Sequence, residues 1–157
     1  MIVTMHAIEI AETGGPPEVL NYVEKPQPTP GPAEVLIAAD AIGVNYIDTY
    51  FRSGLYPREL PFVLGTEVCG TIAAVGDDVA AIKPGDRVVT AVASGPTPNS
   101  ARPPADFVAY VPDSVPSDAI ASALLKGGMT AHYLIKSVYA VQARDFVLVH
   151  AGAGGVG

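Results

Sequence analysis

Hydrophobic positions in this chain come in short runs divided by glycine- and proline-rich punctuation. Apolar runs from Ile2 to Ile10 and from Val19 to Val23 flank the loop ETGGPPE (Glu12–Glu18), the pattern of a hairpin or a pair of neighbouring strands. QPTPGP (Gln27–Pro32) is a rigid connector, because each proline fixes φ and removes a backbone donor. EVLIAADAIGV (Glu34–Val44) predicts a long strand, and NYIDTYFRSGLYP (Asn45–Pro57) a helical turn followed by a loop. FVLGTEVCGTIAAVG (Phe62–Gly76) and DRVVTAV (Asp86–Val92) predict further strands, joined through VAAIKPG (Val79–Gly85). Within that connection, Pro84 and Gly85 are the residues a type II turn needs at its two central positions. Short strands with regular turn signals predict a small β-barrel.

The pattern changes after PTPNSARPP (Pro96–Pro104). From Ser117 to Ala140 it turns helical, with Ser117 placed to cap the first helix and Gly127-Gly128 to break the stretch in two. Phe146 to His150 reads as a buried strand, and Gly152, Gly154 and Gly157 follow it at G-x-G-x-x-G spacing. The expected order is therefore β-barrel, helices, then the first strand of an α/β unit.

Composition narrows the functions open to such a chain. Its 157 residues suit one domain, and 49% apolar against 16% charged residues describe a folded rather than a disordered chain. A net charge of −7 argues against nucleic acid and anionic membrane surfaces as partners, since phosphate binding needs a basic face. Cys69 is the single cysteine, so no intramolecular disulfide forms and a reducing compartment fits. No basic leader opens the chain and no run of 18 apolar residues occurs, which predicts a soluble, cytoplasmic protein. His6, His132 and His150 match no zinc spacing.

Three stretches carry candidate chemistry. The glycine turn lets the backbone approach a pyrophosphate and offers N–H groups to it. The segment Gly43–Pro57 gathers Asn45, Asp48, Tyr46, Tyr50 and Tyr56, whose rings can stack on a flat ligand and whose polar ends can orient a carbonyl. Asn45 and Asp48 also have the types and spacing that simply start a helix. In LGTEVCG (Leu64–Gly70), Glu67 stands among apolar residues, where a buried pair or backbone hydrogen bonds must hold its carboxylate. Cys69 reads as a small core residue rather than a nucleophile.

AIGVNYIDTYFRSGLYP, LGTEVCGTIAAVG, KPGDRVV, LLKGGMTAHYL and VLVHAGAGGVG occur in this order and together resemble the zeta-crystallin-like quinone oxidoreductases, of the medium-chain dehydrogenase/reductase superfamily. The resemblance covers nearly the whole chain. It implies a mainly β fold with α: a GroES-like barrel domain over residues 1–116, connecting helices over 117–144, and the first strand and glycine turn of a truncated Rossmann domain over 145–157. It implies an enzyme that passes a hydride from NADPH to a quinone or a related conjugated carbonyl, working as a homo-oligomer, of which this chain is the N-terminal part and by itself inactive.

By the same resemblance, Asn45, Asp48, Tyr50 and Tyr56 are the catalytic candidates. Tyr46, Ile47, Asp48, Thr49, Tyr50, Thr130, Tyr133, Gly154, Gly155, Val156 and Gly157 are the NADPH-binding candidates. Zinc-dependent members of the superfamily carry Cys where Asn45 stands and His where Thr66 stands, so a zinc-free branch is implied. GPTPNSAR (Gly95–Arg102) replaces the usual strand at that place, which predicts a loosened barrel edge. Two further readings are an enoyl or alkenal reductase of the same superfamily and a non-catalytic GroES-like binding module.

Overall fold

The structure is a computed structural model that describes residues 4–93, 100–115 and 127–157. Two antiparallel sheets build it, which is the form the expected small barrel takes. The first has the order β2-β1-β4, from β1 (Thr4–Ile10), β2 (Leu20–Pro26) and β4 (Phe62–Val63). The second has the order β7-β3-β5-β6-β8, from β3 (Val35–Gly43), β5 (Glu67–Val75), β6 (Arg87–Thr90), β7 (Ser100–Ala101) and β8 (Ala109–Tyr110). The hairpin expected across ETGGPPE is β1 against β2, with Ile10 opposite Leu20.

Alternation along the central strands explains the core. Val35, Ile37, Val68, Ile72 and Val88 point to one side and are buried with Ile82, Ala93 and Ala101. Cys69 packs with Val89 and Val111 in a second cluster, as a core residue should. The turn before β6 forms as expected: the Asp86 N–H donates to the Lys83 carbonyl at 3.1 Å, and Gly85 between them has φ +93°. Only glycine adopts that conformation without strain. Of the stretch expected to loosen the barrel edge, residues 95–99 lie outside the described residues; the residues that follow form β7, which pairs with Ile37 and Ala38.

The helical reading is met in part. Ser117 and residues 118–126 lie outside the described residues. Residues 127–132 are helical and run into a π-helical stretch, Tyr133–Val138. Gly127 and Gly128 are the first described residues of this helix, and its winding changes at Tyr133. Gly127 meets the carbonyl oxygen of Gly155, which would lie 2.0 Å from any Cβ at that position. This close backbone approach requires a glycine at 127, and the expected break before it falls against residues outside those described.

The strand expected over Phe146–His150 does not form, and its burial is not seen. Phe146 is 105% and Leu148 80% exposed, and no described strand lies beside them. An apolar, β-branched run has the propensity to pair, yet a strand exists only when a neighbour completes its ladder.

Candidate active site

The connection from β3 to β4 makes one wall of the candidate site. It begins with a helix, α1 (Tyr46–Ser53), whose N-cap is Asn45. Asn45 and Asp48 form a reciprocal capping arrangement. The Asn45 N–H donates to Asp48 Oδ2 at 2.8 Å and the Asp48 N–H to the Asn45 backbone carbonyl at 2.9 Å. The Asn45 side chain faces the backbone amide of Asp48 without a full hydrogen bond to it. Its Nδ2 donates instead to Glu67 Oε2, at 2.8 Å, from 22 residues away in the chain.

The helix sets the tyrosines. Tyr46 and Tyr50 are four apart, hence on one face, and their rings meet edge to face at 5.4 Å. Gly54 ends the helix with φ +80° and turns the chain back. The Tyr56 N–H then donates to the Tyr50 carbonyl at 3.2 Å, and the two rings stand 5.3 Å apart. Phe51 contacts both Tyr56 and Phe62, while the Arg58 guanidinium covers the Phe51 ring at 4.2 Å and ties the loop to β4. The result is a fixed run of rings, open to solvent at both ends: Tyr46 is 76% and Tyr56 45% exposed.

Other predicted residues on this wall differ in what they offer. Thr49 donates its hydroxyl to the Tyr46 carbonyl at 2.7 Å, so that proton is used inside the helix. Ile47 is half-buried between the polar positions. Asp48 is 6% exposed, and its Oδ1 is buried without a hydrogen-bond partner. A buried carboxylate oxygen without a donor is costly, and a ligand's N–H or O–H would relieve it.

Thr130 and Tyr133 lie elsewhere. They belong to the helical stretch that closes a separate apolar cleft of about 550 Å³, lined by Val89, Tyr110, Val111, Met129, His132 and Tyr133 among others. No residue from 45 to 56 lines it. Gly154, Gly155, Val156 and Gly157 form an exposed turn in which the Gly154 N–H already donates to the Ala151 carbonyl at 2.7 Å. The predicted residues thus fall into three groups, of which only the Asn45–Tyr56 group is brought together. Among the described residues no cluster of three or more His, Cys, Asp or Glu side chains could hold a metal, and no helix is long and apolar enough to cross a membrane.

Glu67 is the residue that sequence reasoning undervalued. It is 1% exposed and stands directly opposite Gly43 in the β3–β5 ladder. Its apolar neighbours were a signal of burial, but nothing local pointed to Asn45 as its partner.

Residues 31–145 match the family described as the alcohol dehydrogenase GroES-like domain. The chain belongs to that family. It is 44% identical, over 151 residues, to the probable quinone oxidoreductase of Schizosaccharomyces pombe, covering 96% of this chain and 45% of the relative. A mycobacterial protein solved in complex with NADPH is 60% identical, with a TM-score of 0.91, over 97% of this chain and 47% of its own. A 2-haloacrylate reductase of Burkholderia is 36% identical in an alignment of 157 positions that covers 96% of this chain and 47% of the relative. The chain spans about half the length of the curated relatives it matches.

Proposed function

We propose that this chain forms the substrate-side wall of an NADPH-dependent quinone reductase. The observation that carries the reading is the anchored run Asn45–Tyr46–Tyr50–Tyr56, which offers exposed ring faces beside fixed polar groups. The residues fit the cofactor's reactive end: Tyr46 presents a ring for stacking, and Asp48 Oδ1 has an unused acceptor position. Bound NADPH supplies a hydride, and the quinone takes one further proton from water to leave as the hydroquinone.

The chain's own part is positioning, hydrogen bonding and exclusion of water. The flat quinone lies beside the Tyr50–Tyr56 ring pair at the open edge of the wall. A phenol O–H of either tyrosine, or the second N–H of Asn45, donates to the quinone oxygen as negative charge develops there. Thr130, Tyr133 and the Gly154–Gly157 turn contact the cofactor once a cofactor domain places them against this wall. Asn45 and Thr66 offer an amide and a hydroxyl where thiolate and imidazole would hold zinc, so the wall acts without metal. Elemental analysis of protein purified without chelators checks this, with well under one zinc per chain expected.

A fusion of this chain, continued after Gly157 by the rest of the S. pombe relative, tests the function. NADPH oxidation with 1,4-benzoquinone is expected; its absence from a folded fusion, with 2-haloacrylate reduced instead, would favour the second reading. The Burkholderia relative gives that reading its support, as a reductase of a conjugated acid. Both substrates share an electron-poor double bond next to a carbonyl, so the same wall would serve.

A further inference from the structure

We propose that Glu67 is a positioning residue for Asn45, fixing the rotation of its side-chain amide so that one N–H is left for the substrate's carbonyl oxygen. This rests on the functional reading above. Two separate observations carry it. First, Glu67 Oε2 accepts from Asn45 Nδ2 at 2.8 Å while the carboxyl side chain is almost wholly buried. Second, the neighbour across the ladder is Gly43, and a Cβ there would lie 2.2 Å from Glu67 Oε2 and 2.7 Å from Cδ. The missing side chain at 43 is the space through which the carboxylate reaches Asn45.

The consequence for Asn45 follows from its chemistry. A primary amide has one acceptor oxygen and two N–H donors, and an ionised carboxylate only accepts. Glu67 therefore holds the amide by its nitrogen end, and the side chain's approach to the Asp48 backbone amide limits the oxygen end. One N–H is bound, and the other keeps a set direction. A donor already oriented costs no reorganisation when charge grows on the substrate oxygen. The negative charge of Glu67 also polarises the amide it holds, because hydrogen-bonded groups in series strengthen one another.

Three measurements test this. In the 157-residue chain, the two side-chain N–H protons of Asn45 should differ in nitrogen–proton correlation spectra. One should be shifted downfield and slow to exchange. Glu67→Gln, which keeps the shape, and Gly43→Ala, which keeps the carboxylate but displaces it, should both remove that signature. In the fusion, each variant should lower kcat about 10-fold with KM within twofold, the mark of an interaction made in the transition state. In an Asn45→Ala background Glu67→Gln should change kcat no further, since Glu67 acts through Asn45. Ordinary, fast-exchanging Asn45 protons in the unsubstituted chain would overturn the proposal without any variant having to fold. Additive losses in the double variant would overturn it as well. A fusion without quinone reductase activity would count against the functional reading alone, and the Asn45 signature would still decide the orientation.

Discussion

Two regions of this molecule carry the same kind of sequence signal and reach different ends. The Asn45–Tyr56 segment and the Tyr133–Gly157 segment both combine apolar runs, glycines and polar caps. In the first, the polar ends are tied into the sheet: Asn45 reaches Glu67 on β5, and Arg58 and Phe51 reach Phe62 on β4. In the second, the described side-chain bonds are local, such as the Gln142 N–H to Asp145 Oδ2 and Gln142 Nε2 to the Ala140 carbonyl. Local bonds shape a turn, but only contacts distant in sequence fix a segment to a core. The first region is tied to the sheet as it stands, and the second is shaped mainly by its own turns.

The largest expected effect follows from that difference. The 157-residue chain alone should reduce benzoquinone more than about 1000-fold more slowly than the fusion, because positioning accounts for most of such a rate. The glycine turn cannot hold a pyrophosphate as it is, since anion binding needs N–H groups aligned at a helix start and one of these is already bonded to Ala151. Calorimetric titration with NADPH and a turnover assay check this together. Micromolar binding by the chain alone would make the barrel wall a cofactor site in its own right.

Next comes association. Phe146, Val147, Leu148 and Val149 are all more than half exposed. An exposed apolar run with strand propensity pairs with another chain. The chain should self-associate, and the double substitution Phe146→Ser with Leu148→Ser should weaken that by about 2–4 kcal/mol. Light scattering over a concentration series measures both, and a clean monomer at high concentration would remove the distinction between the two regions.

The tyrosines sharpen the comparison from the other side. In the fusion, Tyr50→Phe and Tyr56→Phe should each leave folding intact and lower kcat/KM for quinone by the worth of a hydrogen bond to a charged oxygen, about 1.5–3 kcal/mol. Tyr133→Phe, on the separate cleft, should change it less. Equal effects at all three positions would mean that the wall is not the site.

How much was legible in the sequence divides along the same line. The ETGGPPE hairpin, the Pro84-Gly85 turn and the start of α1 at Asn45 are decided by residues within a few positions of one another, and all three form as read. The Glu67–Asn45 bond was not legible, because it depends on the β3–β5 register that sets Gly43 opposite Glu67. The strand expected over Phe146–His150 does not form in this chain, for the converse reason. Its continuous apolar, β-branched run reports a tendency to pair and is silent about whether a partner strand is there.

The smallest effect separates the two regions most directly, because it uses the same bond in each. The Asn45 N–H donates to Asp48 Oδ2 at 2.8 Å, and the Gln142 N–H donates to Asp145 Oδ2 at 2.8 Å, both across three residues. Chemistry and distance are alike; burial is not. Asp48 is buried at the head of α1, so its loss leaves a backbone donor and the helix start without their acceptor. Asp48→Ala should cost about 0.5–2 kcal/mol, the usual worth of a helix cap. Asp145 is exposed, and water replaces its carboxylate at once. Asp145→Ala should therefore stay within about 0.5 kcal/mol of the unsubstituted chain. Urea denaturation of the two variants side by side measures the pair, and equal shifts would show that the tail is as firmly part of the folded unit as the wall.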